Sequence, residues 1–125
     1  MIFINMKRFI KSVGYAINGW KLFFAKEKNG QLQFIAAIAV IILGFILHIG
    51  LSEWQIILLC IVGVLTLEMM NSALEKVIDL MHPEQHPEIK WIKDVAAGAV
   101  LLAATASTII GVIIFLPKII IYLGR

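Results

Sequence analysis

Three apolar runs divide the chain. Phe34 to Leu51 is broken by one polar group, His48; Trp54 to Leu67 leads into a longer segment ending near Met81; Val95 to Pro117 is the third. At 1.5 Å per residue of α-helix, about 20 apolar residues cross a hydrocarbon core roughly 30 Å thick. The runs therefore predict membrane helices over residues 34–51, 54–81 and 92–117 of a single 1–125 domain. The short connection Gly50-Leu51-Ser52-Glu53 turns the chain between the first two, with Ser52 the expected N-cap. The strongly polar connection HPEQHPEIKW, His82 to Trp91, separates the second from the third, and Pro83 and Pro87 interrupt any helix there. Residues 1–30 read differently. Lys7, Arg8, Lys11, Lys21, Lys26 and Lys28 alternate with Phe9, Tyr15, Trp20, Phe23 and Phe24, the pattern of an amphipathic helix lying on a membrane surface. A secretory signal fits poorly, because no apolar run follows these basic groups before Phe34. The fold class expected is all-α integral membrane: an N-terminal surface helix and three transmembrane helices. The small residues Ala96, Ala97, Gly98, Ala99, Ala103, Ala104 and Ala106 favour close helix packing. Three short helices make a thin core, so an oligomer is expected.

One stretch departs from its apolar surroundings. LEMMNSALEKVIDL, Leu67 to Leu80, carries Glu68, Asn71, Glu75 and Asp79 at spacings of three, four and four. At about 100° per residue these four side chains lie within roughly 80° of one another, stacked along one helix face. In a water-soluble protein that stripe is an ordinary solvated face. Here it continues a membrane-grade run, where ionisable groups face a bundle interior, a water-filled cavity or the interface. A second helix of this length should emerge at its C-terminal end into the headgroup layer, which sets the stripe at the membrane surface and not at the bilayer centre.

Composition agrees with the pattern: 61% of residues are hydrophobic and 15% charged, with mean hydropathy +0.95, against about 45–50% and 25% in soluble domains. The formal net charge of +3 is concentrated near the N-terminus. Without a long basic tract or an aromatic RNA-binding motif, it points to anionic headgroups and away from nucleic acid. The N-terminal segment and the Lys76–Lys93 region are basic, whereas the Gly50–Glu53 turn holds only an acid. The positive-inside rule then places the N-terminus, the His82–Trp91 loop and the stripe's end at the cytoplasmic face of the membrane. The single cysteine, Cys60, excludes an intrachain disulfide. His82 and His86 share a spacing of four, but the proline between them disfavours a helical metal pair.

Glu27, Glu68, Asn71, Glu75, Asp79, Lys93 and Asp94, with Arg8 and Lys11, should gather at that face. They meet three needs of phosphoryl transfer. Carboxylates supply hard oxygen ligands for a divalent cation, lysine and arginine balance phosphate charge, and a carboxylate beside an acceptor hydroxyl can take its proton. Neither GxxxxGK[ST] nor GxGxxG occurs in the chain. The same residues could instead serve a non-catalytic membrane subunit that binds ions or a partner.

Two stretches make the chemistry more specific. LEMMNSALEKVIDL followed by KDVAAGAV matches a pattern E-x-x-N-[TS]-A-[IL]-E-x-x-x-D, then K-D, through Glu68, Asn71, Ser72, Ala73, Leu74, Glu75, Asp79, Lys93 and Asp94. Together with RFIKSVGYAINGW and Glu27, this resembles the prokaryotic integral-membrane diacylglycerol kinase family, which includes undecaprenol kinases, over nearly the whole chain. The resemblance implies a homotrimeric, ATP- and magnesium-dependent kinase of a lipid alcohol. It implies Glu68 as general base and Glu27 and Glu75 as Mg²⁺ ligands at the ATP phosphates. Arg8, Tyr15, Asn71, Glu84, Gln85, His86, Lys93 and Asp94 would contact or flank the nucleotide. In the diacylglycerol-specific branch tyrosine stands in place of Gln85, and charged residues stand in place of Gln33 and Trp54, positions the resemblance sets where lipid approaches.

Overall fold

The computed structural model describes residues 2–125, with side chains described from Asn5 onward. Its elements are α1 (Ile2–Lys26), α2 (Lys28–Ile46), α3 (Leu51–Met81) and α4 (Pro87–Leu123), and no strand occurs among the described residues. The chain is an all-helical membrane protein, with α2, α3 and α4 each long and apolar enough to cross a bilayer.

Glu27 alone separates α1 from α2, in an extended conformation (φ −93°, ψ 113°). The bend leaves carbonyls at the end of α1 without helical partners. Gln31 Nε2 supplies donors, 3.0 Å from the Phe24 oxygen and 3.2 Å from that of Ala25. Phe23 folds over Gly30, where a Cβ would stand 2.5 Å from its ring, and Phe24 meets Phe34 at 4.9 Å between centroids. The first membrane helix therefore begins at Lys28, six residues before its apolar run, and the mostly polar residues 28–33 are its first turns.

That helix also ends at Ile46 rather than Leu51. The Ile49 N–H donates to Gly44 O at 3.1 Å and the His48 N–H to Phe45 O at 3.3 Å. This is a Schellman closure, with His48 in the left-handed position at φ 51°. Leu47 and Ile49 are apolar enough for the membrane but are used, with His48 and Gly50, in the turn. Gly50, and not Ser52, is the N-cap of α3, and its N–H donates to Glu53 Oε2 at 2.8 Å. The turn lets α2 and α3 fold back on each other tightly. The Trp54 ring lies where a Gly44 Cβ would be, 2.8 Å away, and 4.8 Å from the Phe45 ring centroid. Ile49, Ile57 and Phe115 are buried beside it and form the main apolar core.

His86 caps α4, its Nδ1 accepting from the Glu88 N–H at 3.2 Å, and Pro87 occupies the first turn, where its missing N–H costs nothing. The helix does not stop at Pro117 but continues to Leu123. Beyond the proline Ile119 packs against the core, whereas Ile120 and Ile121 are exposed. Lys118 Nζ pairs with Glu53 Oε2 at 3.2 Å, and at the other end Lys93 Nζ pairs with Asp79 Oδ1 at 2.6 Å. Helices of 31 and 37 residues, α3 and α4 run for about 46 and 55 Å and overreach a hydrocarbon core of roughly 30 Å at both ends.

The Gly44 contact is testable. Gly44→Leu forces a branched side chain into the Trp54 ring, and overpacking of this kind costs about 1–3 kcal/mol. Thermal unfolding in a fixed detergent should show a clear fall in midpoint for Gly44→Leu; an unchanged midpoint contradicts the packing described.

A candidate active site at one end of the bundle

Along α3 the polar stripe descends from solvent into the bundle. Asp79 is exposed, Glu75 and Asn71 are half-buried, and Glu68 retains 4% exposure. From Asp79 to Glu68 the stripe covers about 16 Å along the helix axis. At its inner end α2 crosses over it. Gln33 on α2 donates through Nε2 to Glu68 Oε2 at 3.4 Å. One turn outward, Asn71 Nδ2 donates to Glu75 Oε1 at 3.5 Å, the i, i+4 contact its spacing allows. Two acceptors in this group, Gln33 Oε1 and Asn71 Oδ1, are buried without a partner. Buried polar atoms in native structures are ordinarily satisfied, so an orphan acceptor calls for a donor or a cation.

Beyond the stripe, the loop between α3 and α4 frames a cavity of about 750 Å³ lined by Asp79, Glu84, Gln85, His86, Lys90, Lys93 and Asp94. That volume falls in the range of small-molecule sites. Lys93 is held by Asp79 and Lys90 pairs with Asp94, so both cations are committed to carboxylates one at a time. Both pairs are substantially exposed, and such pairs are weak and exchangeable.

The predicted residues thus fall into local groups. Glu68 stands with Gln33, Asn71 with Glu75, and Glu84, Gln85, His86, Lys93 and Asp94 share the loop cavity with Asp79. Glu27 sits at the α1–α2 bend, half-buried, and Arg8 and Tyr15 lie exposed on α1, where Lys11 Nζ is 5.9 Å from the Tyr15 ring centroid. Among the described residues no three His, Cys, Asp or Glu side chains converge as a metal cage. Glu75 and the orphan Asn71 oxygen are still hard donors of the kind Mg²⁺ accepts, since that ion is usually held by one or two carboxylates with phosphates and water completing the shell. Gln33 and Trp54 part company: Gln33 reaches Glu68, whereas Trp54 is in the core at the far end of α3. The partnership of Lys90 with Asp94 has a sequence signal, the i, i+4 spacing; that of Lys93 with Asp79 crosses between helices and has none.

Residues 14–115 match the family model described as prokaryotic diacylglycerol kinase. An undecaprenol kinase of Bacillus subtilis (strain 168) is 44% identical over 115 residues, covering 92% of this chain and 94% of that protein. A diacylglycerol kinase of Synechocystis is 38% identical over 109 residues, 86% of this chain and 62% of the relative. A diacylglycerol kinase of Escherichia coli (strain K12) is 26% identical over 102 residues, 82% and 84% of the two chains.

If the Lys93–Asp79 pair is as loose as its exposure indicates, it adds little to stability. A double-mutant cycle of Asp79→Asn and Lys93→Met, read by thermal unfolding, should give a coupling below about 1 kcal/mol. A coupling of several kcal/mol would make Lys93 a structural lysine, unavailable to a ligand.

Proposed function

The chain belongs to the prokaryotic diacylglycerol kinase family and is a membrane lipid kinase, and from that premise we propose that it transfers the γ-phosphoryl group of ATP to a lipid hydroxyl at Glu68. The observation that carries the assignment is a carboxylate buried between α2 and α3 with one amide donor beside it. Ionisable groups are expensive in such surroundings and mark functional sites. Undecaprenol and diacylglycerol, the alcohols named by the relatives, are the acceptors considered.

In the proposed reaction the acceptor O–H gives its proton to the Glu68 carboxylate as the alcohol oxygen bonds to the γ-phosphorus. The bond from that phosphorus to the β–γ bridging oxygen breaks, ADP leaves with the electron pair, and Glu68 later releases the proton to water. Most of the rate enhancement in such transfers comes from positioning and charge stabilisation. Glu75 and Glu27 would hold Mg²⁺, with the orphan Asn71 Oδ1 available beside Glu75. When bound, the cation neutralises charge on the β- and γ-phosphates. Lys93 can leave Asp79 for a phosphate oxygen, and the loop residues Glu84, Gln85 and His86, with Asp94, frame the rest of the nucleotide. Arg8 and Tyr15 would flank the site from α1, which joins α2 through the bend at Glu27. The lysine- and arginine-rich N-terminal segment, with Lys76, Lys90 and Lys93 around the loop, supports a cytoplasmic orientation. The many exposed apolar side chains on α3 and α4, Leu59, Leu101 and Leu102 among them, support a homotrimer in which lipid and neighbouring copies share that surface.

Two variants test the roles separately. Glu68→Gln keeps size and burial but cannot accept the proton, so lipid phosphorylation should fall at least about 10²-fold while ATP still binds; surviving turnover, or loss of nucleotide binding with it, removes Glu68 as base. Glu75→Gln removes a charged oxygen donor, so turnover should fall and the Mg²⁺ concentration for half-maximal rate should rise. Titration of activity against Mg²⁺ checks this, and a wild-type curve contradicts the assignment.

A further inference from the structure

At the end of the bundle away from Glu68, the closing turns of α2 and α4 frame a smaller cavity, of about 330 Å³. Leu47 and His48 line it from the end of α2, and Lys118, Ile121, Tyr122 and Arg125 from the end of α4. Its lining holds four side chains that can donate hydrogen bonds, His48, Lys118, Tyr122 and Arg125, and no acidic one. Lys118 is held by Glu53, which stands 15 residues from Glu68 along α3, about 22 Å. The cavity is therefore separate from the candidate active site. Arg125 pairs with no carboxylate among the described residues.

The turn adds an independent observation. His48 stands in the left-handed position at φ 51°, where glycine fits without steric cost and a side chain is mildly destabilising. The same turn gives partners to the Leu43, Gly44 and Phe45 carbonyls, and the Gly124 N–H covers that of Ile120. Fewer bare carbonyls then oppose an anion at these two helix ends. Lysine and arginine donate only, so the fitting ligand is a charged acceptor such as a phosphate. The apolar part of the wall includes Ile46 and Ile121, both exposed, which suits a ligand that carries hydrocarbon beside its charge. At roughly 30 Å³ per water-sized group the space takes on the order of ten non-hydrogen atoms, enough for a phosphodiester and too few for a nucleoside triphosphate. Lys118 lies 25 residues from Lys93 on α4, about 38 Å, which sets the cavity at headgroup level.

We propose that this cavity binds the phosphate of an anionic membrane phospholipid, with Arg125, Lys118 and the His48 imidazole donating to its oxygens and Ile46 and Ile121 against the start of its chains. Lys118 has three N–H donors and can serve Glu53 and a phosphate together. His48 then supplies a donor that glycine lacks, at a position where glycine suits the backbone better. The site is independent of Glu68 and of the kinase reaction, and its lipid is a bound component of the far end of the bundle and not a substrate.

The experiment titrates the full chain in dodecyl maltoside with dioleoylphosphatidylglycerol, dioleoylphosphatidylcholine or inorganic phosphate. Lipid binding is read by native mass spectrometry, and the thermal unfolding midpoint is followed with all three. Wild type should bind phosphatidylglycerol at least about tenfold more tightly than the zwitterionic lipid, and phosphatidylglycerol alone should raise the midpoint. Arg125→Gln should weaken that binding about tenfold, the loss of one charge-assisted hydrogen bond, while Lys21→Gln on the surface helix stays within about twofold of wild type. His48→Gly should match or exceed the wild-type midpoint without lipid, because the turn gains a glycine, and should lose most of the preference for phosphatidylglycerol. Equal binding of the two lipids by wild type overturns the anionic class. A midpoint raised as far by inorganic phosphate overturns the lipid as occupant. Binding unchanged in both cavity variants, or lost as fully in Lys21→Gln, overturns the site. A lipid-free midpoint that falls in His48→Gly overturns the role given to the histidine.

Discussion

Charge is costly in hydrocarbon, and that constraint governs how α3 and α4 are set against each other. Each helix carries its pairing charges near its ends, Glu53 and Asp79 on α3, Lys93 and Lys118 on α4. The intervals are nearly equal, 26 residues on one helix and 25 on the other. At 1.5 Å per residue both come to about 38–39 Å, close to the roughly 40–45 Å of a bilayer with its headgroups. An antiparallel pair in this register satisfies both ends at once. Sliding by one turn would separate both pairs and draw charge inward. The pairs themselves are partly exposed and individually weak; the penalty for misplacing them specifies the register.

Within that register the site is arranged as a gradient of water access. The loop residues and Asp79 are exposed, which suits a charged nucleotide, and Glu68 is buried at the level where α2 lies over α3. A carboxylate with a single amide donor is a poor contributor to stability. Its position is intelligible as a place where an apolar substrate and a charged donor can meet. The bend at Glu27 and the Gly30–Phe23 contact pack the end of α1 against the start of α2.

The apolar core is small and lies at the opposite end. Ile49, Ile57 and Phe115, with Trp54 over Gly44, close the bundle there, whereas towards Gln33 the three helices leave a cleft. Small residues on α2 and α4 keep it open: Ala37, Ala104 and Gly111 line it where larger side chains would fill it. The cleft reaches the core itself, since Ile57 and Phe115 line its inner wall as well.

Much of this was written in local pattern. Three apolar runs, a basic amphipathic start and a proline-bearing loop were enough for a surface helix and three membrane helices, because hydrocarbon leaves a long apolar segment few alternatives to a helix. The stripe from Glu68 to Asp79 was legible because its period is that of a helix turn, and Glu75 with Asn71 is a contact within that one helix. Helix ends were less legible. Lys28, Asn29, Gln31 and Gln33 are polar yet helical, Leu47 and Ile49 are apolar yet form the turn, and Pro117 sits within α4, since a helix end is settled by hydrogen bonds and neighbouring packing as well as by hydropathy. Only the tertiary structure decided that Glu68 is buried while Asp79 is open, that Gln33 holds Glu68, that Asp79 holds Lys93, and that Trp54 belongs to the far core. Each of those facts depends on how one helix crosses another, and a one-dimensional period states which face a residue occupies but not what lies opposite it.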